Sequence, residues 1–176
     1  MILGIRPTVD FAFKLVFGNP EHTGVTIHFL NAILGDQPKI THVQIQDPFL
    51  EQQTENDKLS VLDVRATDEH GRILNIEMQT TLPAGMSQRL TYYAARRYFT
   101  QLTEGASYST LHPAISICVL TSAMFPQLPE MHLDFRLREA AGQLLTDDLQ
   151  IHLLELSKLQ LNAQNVYRAS PIERWA

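Results

Sequence analysis

The chain has 176 residues, of which 44% are apolar and 19% charged, and its formal net charge is −5. This size and balance are typical of one soluble globular domain, so a single domain is predicted over residues 1–176. The acidic net charge excludes an overall basic surface of the kind that strong, nonspecific nucleic-acid binders carry. Any polyanion would have to be met by a local patch or through a metal.

Neither a disulfide framework nor a membrane span is indicated by the sequence. The single cysteine, Cys118, lies in an apolar run and is predicted to be a reduced core residue rather than a zinc ligand. The apolar start, residues 1–5, is too short for a signal peptide, and no run approaches the length of a membrane-spanning helix. These features predict a cytoplasmic protein with no membrane partner.

Two helices are predicted before the first strand. The first opens at Thr8, which is placed to cap it, and stops at Gly18. The second spans residues 21–34 and stops at Gly35. Apolar residues at helical spacing are expected to face the core: Phe11, Leu15 and Val16 in the first helix, and Val25, Phe29, Ala32 and Ile33 in the second.

A short strand over residues 40–46 leads to a predicted hairpin at residues 58–81. Its strands, 59–67 and 72–80, alternate apolar and polar residues, and the polar link between them contains Gly71, which is able to take a positive φ. If the turn is centred on His70, residues whose numbers sum to 140 face each other. Asp63 then faces Glu77, and Arg65 faces Asn75.

The second half of the chain is predicted to supply one long helix and three strands. The helix spans 86–104, with a core stripe of Leu90, Tyr93, Ala94, Tyr98 and Leu102 beside a face of Gln88, Arg89, Tyr92 and Arg96. Residues 114–121 form an apolar run typical of a strand buried on both faces. An edge strand is predicted at 132–138 and another strand at 149–156. Ser170 is predicted to cap a helix that begins as the sequence stops. This suggests that the chain comes from a longer parent protein and lacks the C-terminal helical segment of that parent.

The predicted register places two carboxylates, Asp63 and Glu77, within about 5 Å of each other on one face of the sheet. Like charges in this position are destabilising, so a cation must offset them. A divalent metal bound through oxygen ligands would do so. An ion-pair network through Arg65 and Lys58 would do so equally well, and the pattern alone leaves both open.

The element order and several motifs resemble the PD-(D/E)XK nuclease core, in which one strand carries an aspartate and the next a (D/E)-x-K pair. The closer resemblance is to the PD-(D/E)XK-family transposases, also called recombination-promoting nucleases. It implies an α/β, restriction-endonuclease-like fold with a mixed central sheet flanked by helices. The matching stretches are DFAFKLVFG at 10–18, FLNAIL at 29–34, LDVRATDEHGRILNIEMQ at 62–79, QRLTYYAARRYFTQL at 88–102 and LLTDDLQIHLLEL at 144–156.

This resemblance implies roles for individual residues. Asp63 and Glu77 would be ligands of Mg²⁺ or Mn²⁺, with the backbone carbonyl of Met78 as a third ligand. Gln79 stands where the family has lysine; it is able to orient a water or a phosphate but brings no positive charge and is no base near neutral pH. Lys58 is a candidate substitute for that charge, although a solvated lysine at a strand end is the ordinary alternative.

Further residues are expected around the same site. Gln88 and Arg89 begin the helix that follows it and are candidates for binding substrate, although Arg89 would serve equally well in an ion pair with Glu77 or a surface acid. Asp10 and Glu21, placed on the first two helices, are candidates for an additional carboxylate, with Asp10 the better one. The seven histidines show no metal-ligand spacing and are predicted to be scattered polar residues.

Two functions of different classes follow. The first is a metal-dependent endonuclease that hydrolyses DNA phosphodiester bonds in recombination or transposition. The alternative is a catalytically inactive nuclease-like fold that serves as a nucleic-acid or protein interaction module, which the glutamine in place of lysine and the acidic net charge favour. A homodimer is compatible with either function.

Overall fold

The structure, a computed structural model, describes residues 10–35, 38–46, 64–161 and 165–175. Within these ranges the chain forms three α-helices, six strands and three short 3₁₀ helices at Tyr108–Thr110, Leu156–Lys158 and Val166–Arg168. The helices are α1 Asp10–Phe17, α2 Gly24–Leu34 and α3 Met86–Phe99. The strands are β1 Val43–Gln46, β2 Val64–Asp68, β3 Ile73–Gln79, β4 Ala114–Leu120, β5 His132–Arg138 and β6 Leu144–Glu155.

The six strands form one mixed sheet in the order β1-β2-β3-β4-β6-β5. The three central strands, β3, β4 and β6, run parallel, and the flanking pairs are antiparallel. The parallel step from β3 to β4 passes through α3, as a crossover connection requires. All seven residues of β4 are buried, which confirms the predicted strand with two covered faces.

Helices cover both faces of the sheet, and this decides what β3 buries. Helices α1 and α2 pack on the face that carries Leu74, Ile76 and Met78. Helix α3 packs on the opposite face, where Met86 and Leu90 join a second cluster with residues of β4, β5 and β6. Because successive side chains of a strand point to opposite faces, the polar residues of β3 lie beneath α3 instead of facing solvent.

The core face of α1 differs from the prediction. Leu15 is 61% exposed and Val16 is also exposed, whereas Phe13 and Phe17 are buried; the side chain of Phe11 lies outside the described residues. The ring centroids of Phe13 and Phe17 are 4.7 Å apart, and Phe17 lies 4.8 Å from Phe29 of α2. Two aromatic rings one helical turn apart therefore anchor α1, since they bury more apolar surface than leucine and valine would.

Helix α2 is partly as predicted. Its buried positions include Phe29 and Ile33, but Leu30 is buried in place of Val25, which is exposed. The helix begins at Gly24 and ends at Leu34, followed by Gly35, whose φ is 75°. Its Thr26 is buried too, and its hydroxyl donates to the carbonyl of Phe17 at 2.7 Å, which joins α2 to the end of α1.

The predicted hairpin and its register are confirmed over the described residues. Arg65 pairs with Asn75, and the other pairs of β2 and β3 also have residue numbers that sum to 140. The carboxylate of Asp68 accepts the backbone N–H groups of His70 and Arg72, each at 2.9 Å, and the Arg72 Nε lies 2.5 Å from its second oxygen. Gly71 has φ 79°, the positive value expected of it. The turn is thus held by hydrogen bonds to one buried carboxylate.

Several boundaries differ from the predicted ones. Helix α3 ends at Phe99, because the side chain of Gln101 bonds to both backbone groups of His112 and so turns the chain toward β4. Strand β1 begins at Val43, and β6 begins at Leu144, five residues earlier than expected, since its first part pairs with the end of β5 across a bulge. The edge strand β5 has the predicted bounds.

The predicted cap near the C-terminus is present. Ser170 and Glu173 form a reciprocal pair: the Ser170 N–H and hydroxyl donate to the Glu173 carboxylate at 2.7 Å, and the Glu173 N–H donates to the Ser170 oxygen at 3.4 Å. The residues that follow form turns and bring Trp175 against Phe17 and Phe29. The described C-terminal residues therefore cover the layer formed by α1 and α2.

Replacing Gly71 by alanine is expected to lower the free energy of unfolding by about 1–2 kcal/mol, because a left-handed backbone conformation carries roughly that cost for a residue with a Cβ. A Cβ at this position would also lie 2.5 Å from the His112 ring, which would have to move. Urea denaturation measures the loss. The control is Gly24→Ala, where a Cβ meets nothing within 4 Å. Equal stability of the two variants would contradict the role given to this turn.

Candidate functional site

Glu77 is the most deeply buried polar residue of β3, with 1% of its surface exposed. It lies on the face covered by α3, and its partner in β4 is Cys118, which is fully buried. Placing an ionisable side chain in such an environment costs free energy unless the charge is compensated. A buried carboxylate at the centre of a sheet is therefore a candidate for a functional group.

Gln79 lies two residues further on the same face of β3, as predicted. Its Nε2 donates to the Oε2 of Glu77 at 3.4 Å, a long hydrogen bond that orients the carboxylate. Met78, between them, points its side chain into the core on the opposite face, also as predicted. The polar tip of Gln79 is partly accessible, so the pair leads from the buried carboxylate toward the surface.

The first turns of α3 pack on the same face of the sheet as this pair, against the neighbouring strands β4 and β6. Met86 and Leu90 pack in one cluster with Cys118 and Leu120, the β4 neighbours of Glu77 and Gln79. Gly85 caps the helix in a left-handed conformation, and the N–H groups of the first turn carry partial positive charge. The start of α3 is thus a favourable place for an anion.

Gln88 and Arg89 lie in this first part of α3, where the sequence places them. The side chain of Gln88 is exposed. The guanidinium of Arg89 lies 5.6 Å from the centroid of the Tyr93 ring, a cation–π arrangement along one face of the helix. The structure brings Gln79 into contact with Glu77. Gln88 and Arg89 lie at the start of the helix that packs on the same face of the sheet, and their part in the site remains a prediction.

The family model of the PD-(D/E)XK nuclease family transposases matches residues 7–176. This chain belongs to that family. The mixed six-stranded sheet with helices on both faces agrees with its restriction-endonuclease-like fold. Membership implies DNA as the substrate, and PD-(D/E)XK nucleases generally use divalent metals. Neither a curated protein nor a solved structure matches the chain.

Other residues expected at the PD-(D/E)XK site are only partly covered by the structure. Asp63 and Lys58 lie outside the described residues, and so does the side chain of Asp10, which begins α1. Glu21 was expected on the second helix, but it precedes α2 and is exposed, with its N–H bonded to the side chain of Asn19. The site roles of Asp10, Asp63 and Lys58 therefore remain predictions, whereas the helical placement of Glu21 was wrong.

The donor chemistry of the site suits a hard divalent cation. Glu77 and the expected Asp63 and Met78 carbonyl would all present oxygen, which Mg²⁺ and Mn²⁺ prefer. Across the four described ranges, no group of three or more histidine, cysteine or acidic side chains is arranged to hold a metal. A metal site that used Glu77 would therefore need further ligands from residues beyond these ranges.

A further buried acid, Glu155 at the end of β6, was not predicted. Its Oε1 accepts the N–H groups of Met124 and Phe125 at 2.8 and 2.9 Å, and its Oε2 lies 2.5 Å from the Lys158 Nζ. Lys158 also donates to two carbonyls of the same loop. Glu155 therefore holds the loop after β4 in place. The glutamate and lysine three residues apart at the end of an apolar run were the signal available in the sequence.

Two of the histidines are not the scattered polar residues that were predicted. His152 is 1% exposed, and its Nδ1 lies 2.9 Å from the Nε2 of His132 on the neighbouring edge strand. The His152 Nε2 lies 3.1 Å from the Gln150 Oε1. Alternation along β6 puts this pair on the face opposite Glu77. The histidine pair is therefore separate from the candidate nuclease site.

Burial lowers the pKa of His152 to about 4, and the carboxylate of Asp134 only partly opposes this effect. Burial likewise lowers the pKa of His132, against the opposing charge of Asp134. Asp134 in turn forms a salt bridge with Arg136, which also binds Asp147. Both histidines are accordingly neutral in the folded protein near pH 7, and one of the two facing ring nitrogens donates to the other.

Within the described residues, no helix is long and apolar enough to cross a membrane.

The depressed pKa of His152 predicts acid destabilisation. In the unfolded chain this histidine takes up a proton as the pH falls below about 6.5, whereas the folded protein resists protonation down to about 4. Its contribution to stability is therefore complete above pH 6.5 and falls by roughly 3 kcal/mol by pH 4. Urea unfolding at several pH values in this window should show the loss. His152→Gln should flatten the pH dependence, and His22→Gln, at an exposed site, should not. Identical pH profiles for wild type and His152→Gln would contradict this account.

Proposed function

We propose that this protein is a metal-dependent endonuclease that hydrolyses DNA phosphodiester bonds in recombination or transposition. The observation that carries the proposal is the buried Glu77 carboxylate with Gln79 beside it, on the strand that corresponds to the family's (D/E)-x-K motif. Buried carboxylates at strand centres are frequent at functional sites. A carboxylate in this position of the family's fold is therefore a candidate ligand for a divalent cation.

The second acid of the site is proposed to be Asp63. Every pair between β2 and β3 in the described residues obeys the sum of 140, and the same rule gives Asp63 as the partner of Glu77. Asp63, Glu77 and the Met78 carbonyl would hold one Mg²⁺ or Mn²⁺. Such a metal, when bound, lowers the pKa of a coordinated water and neutralises charge on the scissile phosphate.

The remaining side chains would position the reactants. Gln79 donates to Glu77 and so fixes the orientation of the carboxylate, and its amide is able to hold a water or a phosphate oxygen. It lacks the positive charge of the family's lysine. Arg89, with the N–H groups at the start of α3, is proposed to bind a phosphate of the substrate, together with Gln88. Lys58 is the proposed source of additional positive charge from the mouth of the hairpin.

Glu77→Gln is expected to reduce DNA nicking at least about a hundredfold, because an amide keeps the shape of the side chain but loses the charge that binds the cation. The assay is conversion of supercoiled plasmid to open circles with Mg²⁺ or Mn²⁺. Asp63→Asn should have a comparable effect. Arg89→Ala should weaken DNA binding more than it slows the bound enzyme.

The control for this experiment is Glu104→Gln, which makes the same chemical change at an exposed position after α3. It should nick DNA at the wild-type rate. Circular dichroism must show that Glu77→Gln is folded, since the amide replaces a buried group. If folded Glu77→Gln and wild type nick plasmid equally fast, Glu77 is not a metal ligand of this enzyme and the assignment is wrong.

The second candidate function is an inactive nuclease-like module, and Gln79 is the observation that favours it. Replacing Gln79 by lysine separates the two functions. If the protein is an endonuclease, wild type already nicks DNA, and Gln79→Lys changes that rate. If catalysis has been lost with the lysine, wild type is inert, and titration calorimetry shows no Mn²⁺ binding that depends on Glu77.

A further inference from the structure

The outer face of α3 exposes two aromatic rings. Tyr92 is 61% exposed and Phe99 is 77% exposed, whereas Leu90 and Ala94, on the inner side of the same helix, are each 2% exposed. Seven residues separate the two aromatics, so they project from one side of the helix about 10 Å apart. The inner side accounts for the packing of α3 on the sheet, and the outer aromatics are not needed for it.

Helix α3 is also the most basic element that the structure describes. It carries Arg89, Arg96 and Arg97 and no acidic residue, a formal charge of +3 in a chain whose net charge is −5. Arg89 and Arg96 are seven residues apart and therefore lie together along one edge of the side that bears the aromatics. This helix is therefore the kind of local patch that an acidic protein needs to meet a polyanion.

Contacts between neighbouring side chains order this face. The Arg89 guanidinium lies 5.6 Å from the Tyr93 centroid, and the Tyr93 and Tyr92 rings meet edge-on with centroids 5.6 Å apart. The series begins next to Gln88, at the end of α3 that packs against Cys118, the β4 neighbour of Glu77, and leads away from it along the helix. A strand bound there would lead directly from the candidate site.

We propose that this outer face of α3, formed by Gln88, Arg89, Tyr92, Arg96 and Phe99, binds unpaired nucleotides of a single-stranded segment next to the site of cleavage. The proposal rests on the nuclease function proposed above and adds a substrate class to it. Tyr92 and Phe99 stack on bases, and the arginines contact the phosphates that connect them.

Aromatic exposure favours a single strand over a duplex. In a duplex the faces of the bases are covered by their neighbours, so exposed rings would gain nothing, and the phosphates alone would be contacted. Arg89 and Arg96 give this face a small cationic surface, and duplex binding through phosphates is weak and strongly salt-dependent when few contacts are made. Unpaired bases offer stacking surfaces to Tyr92 and Phe99 in addition to the charge.

The charge pattern also disfavours a second copy of the chain as the occupant. A two-fold interface would place the same surface of both copies together, so that the arginines of one α3 would face those of the other. Like charges brought together in this way oppose association. A polyanion meets no such opposition.

The test is the binding of fluorescein-labelled oligo-dT, longer than about 16 nucleotides, measured by anisotropy in EDTA so that no cleavage occurs. Tyr92→Ala and Phe99→Ala are each expected to weaken binding on the order of tenfold, the loss typical of one stacked base. Phe99→Trp should retain wild-type affinity, because tryptophan stacks as well. In Tyr92→Ala and Phe99→Ala, the affinity for a duplex of the same length should fall several-fold less than the affinity for the single strand.

Tyr167 provides a matched control. It is 66% exposed and has the Arg168 guanidinium 5.6 Å from its ring centroid, in the C-terminal part of the chain. Tyr167→Ala should bind oligo-dT as wild type does. Circular dichroism of each variant establishes that it is folded, which is expected because Tyr92 and Phe99 contribute little to the core.

Three results would overturn the proposal: unchanged oligo-dT affinity in both α3 variants, an equal loss for single strand and duplex, or a wild-type dimer in sedimentation that Phe99→Ala dissociates without changing oligo-dT binding. The proposed nuclease function fails separately, through the Glu77→Gln nicking assay. Glu77→Gln should still bind oligo-dT in EDTA, so loss of cleavage and loss of strand binding are distinguishable.

Discussion

The register of the β2–β3 hairpin decides which side chains share a face with Glu77. A slip of one residue would turn every side chain of a strand to the opposite face, sending Glu77 into the apolar core beneath α1 and α2. Asp68 prevents such a slip by bonding two backbone N–H groups of the turn and the Arg72 side chain. Gly71 supplies the left-handed conformation that the turn needs. The candidate site thus depends on a turn whose own residues take no part in chemistry.

Coverage of the sheet on both faces is the second constraint. Helix α3 turns what would be the solvent face of β3 into an interior, so Glu77 is buried even though it alternates with core residues. The polar residues behind it share this environment: Asn75 and Ser116 are neighbours in register, 6% and 2% exposed, and the Asn75 Oδ1 and Ser116 Oγ have no hydrogen-bond partner within the described structure. A small pocket beside them, lined also by Arg97, offers room for about one water molecule. A polar row inside a covered sheet is costly, which is why such rows are usually retained for a purpose.

Much of this could be predicted from the sequence, because the decisive signals are local. Alternation of apolar and polar residues gave the strands, the position of Gly71 gave the turn, and together they gave the pairing of Arg65 with Asn75. The failures share a physical cause. Nearly every side of α1 is apolar, so its inner face is chosen by Phe29 and by Trp175, which are distant in sequence. His132 and His152 are twenty residues apart and meet only through the antiparallel pairing of β5 with β6, which no spacing rule for metal ligands detects.

Gln79 stands where the family has lysine, and this determines where positive charge for a bound phosphate is found. A lysine two residues after Glu77 would neutralise part of the carboxylate charge within the site. Gln79 leaves that charge in place and contributes only a long hydrogen bond, so positive charge for a phosphate has to come from elsewhere. In a chain of net charge −5, the nearest described concentration of it is α3, with three arginines and no acid. The start of this helix packs against Cys118, the β4 neighbour of Glu77, and its outer face carries the exposed Tyr92 and Phe99. If the proposed strand binding holds, the helix that packs against the neighbour of Glu77 also binds the polyanion, so that substrate binding and site formation would depend on the same helix.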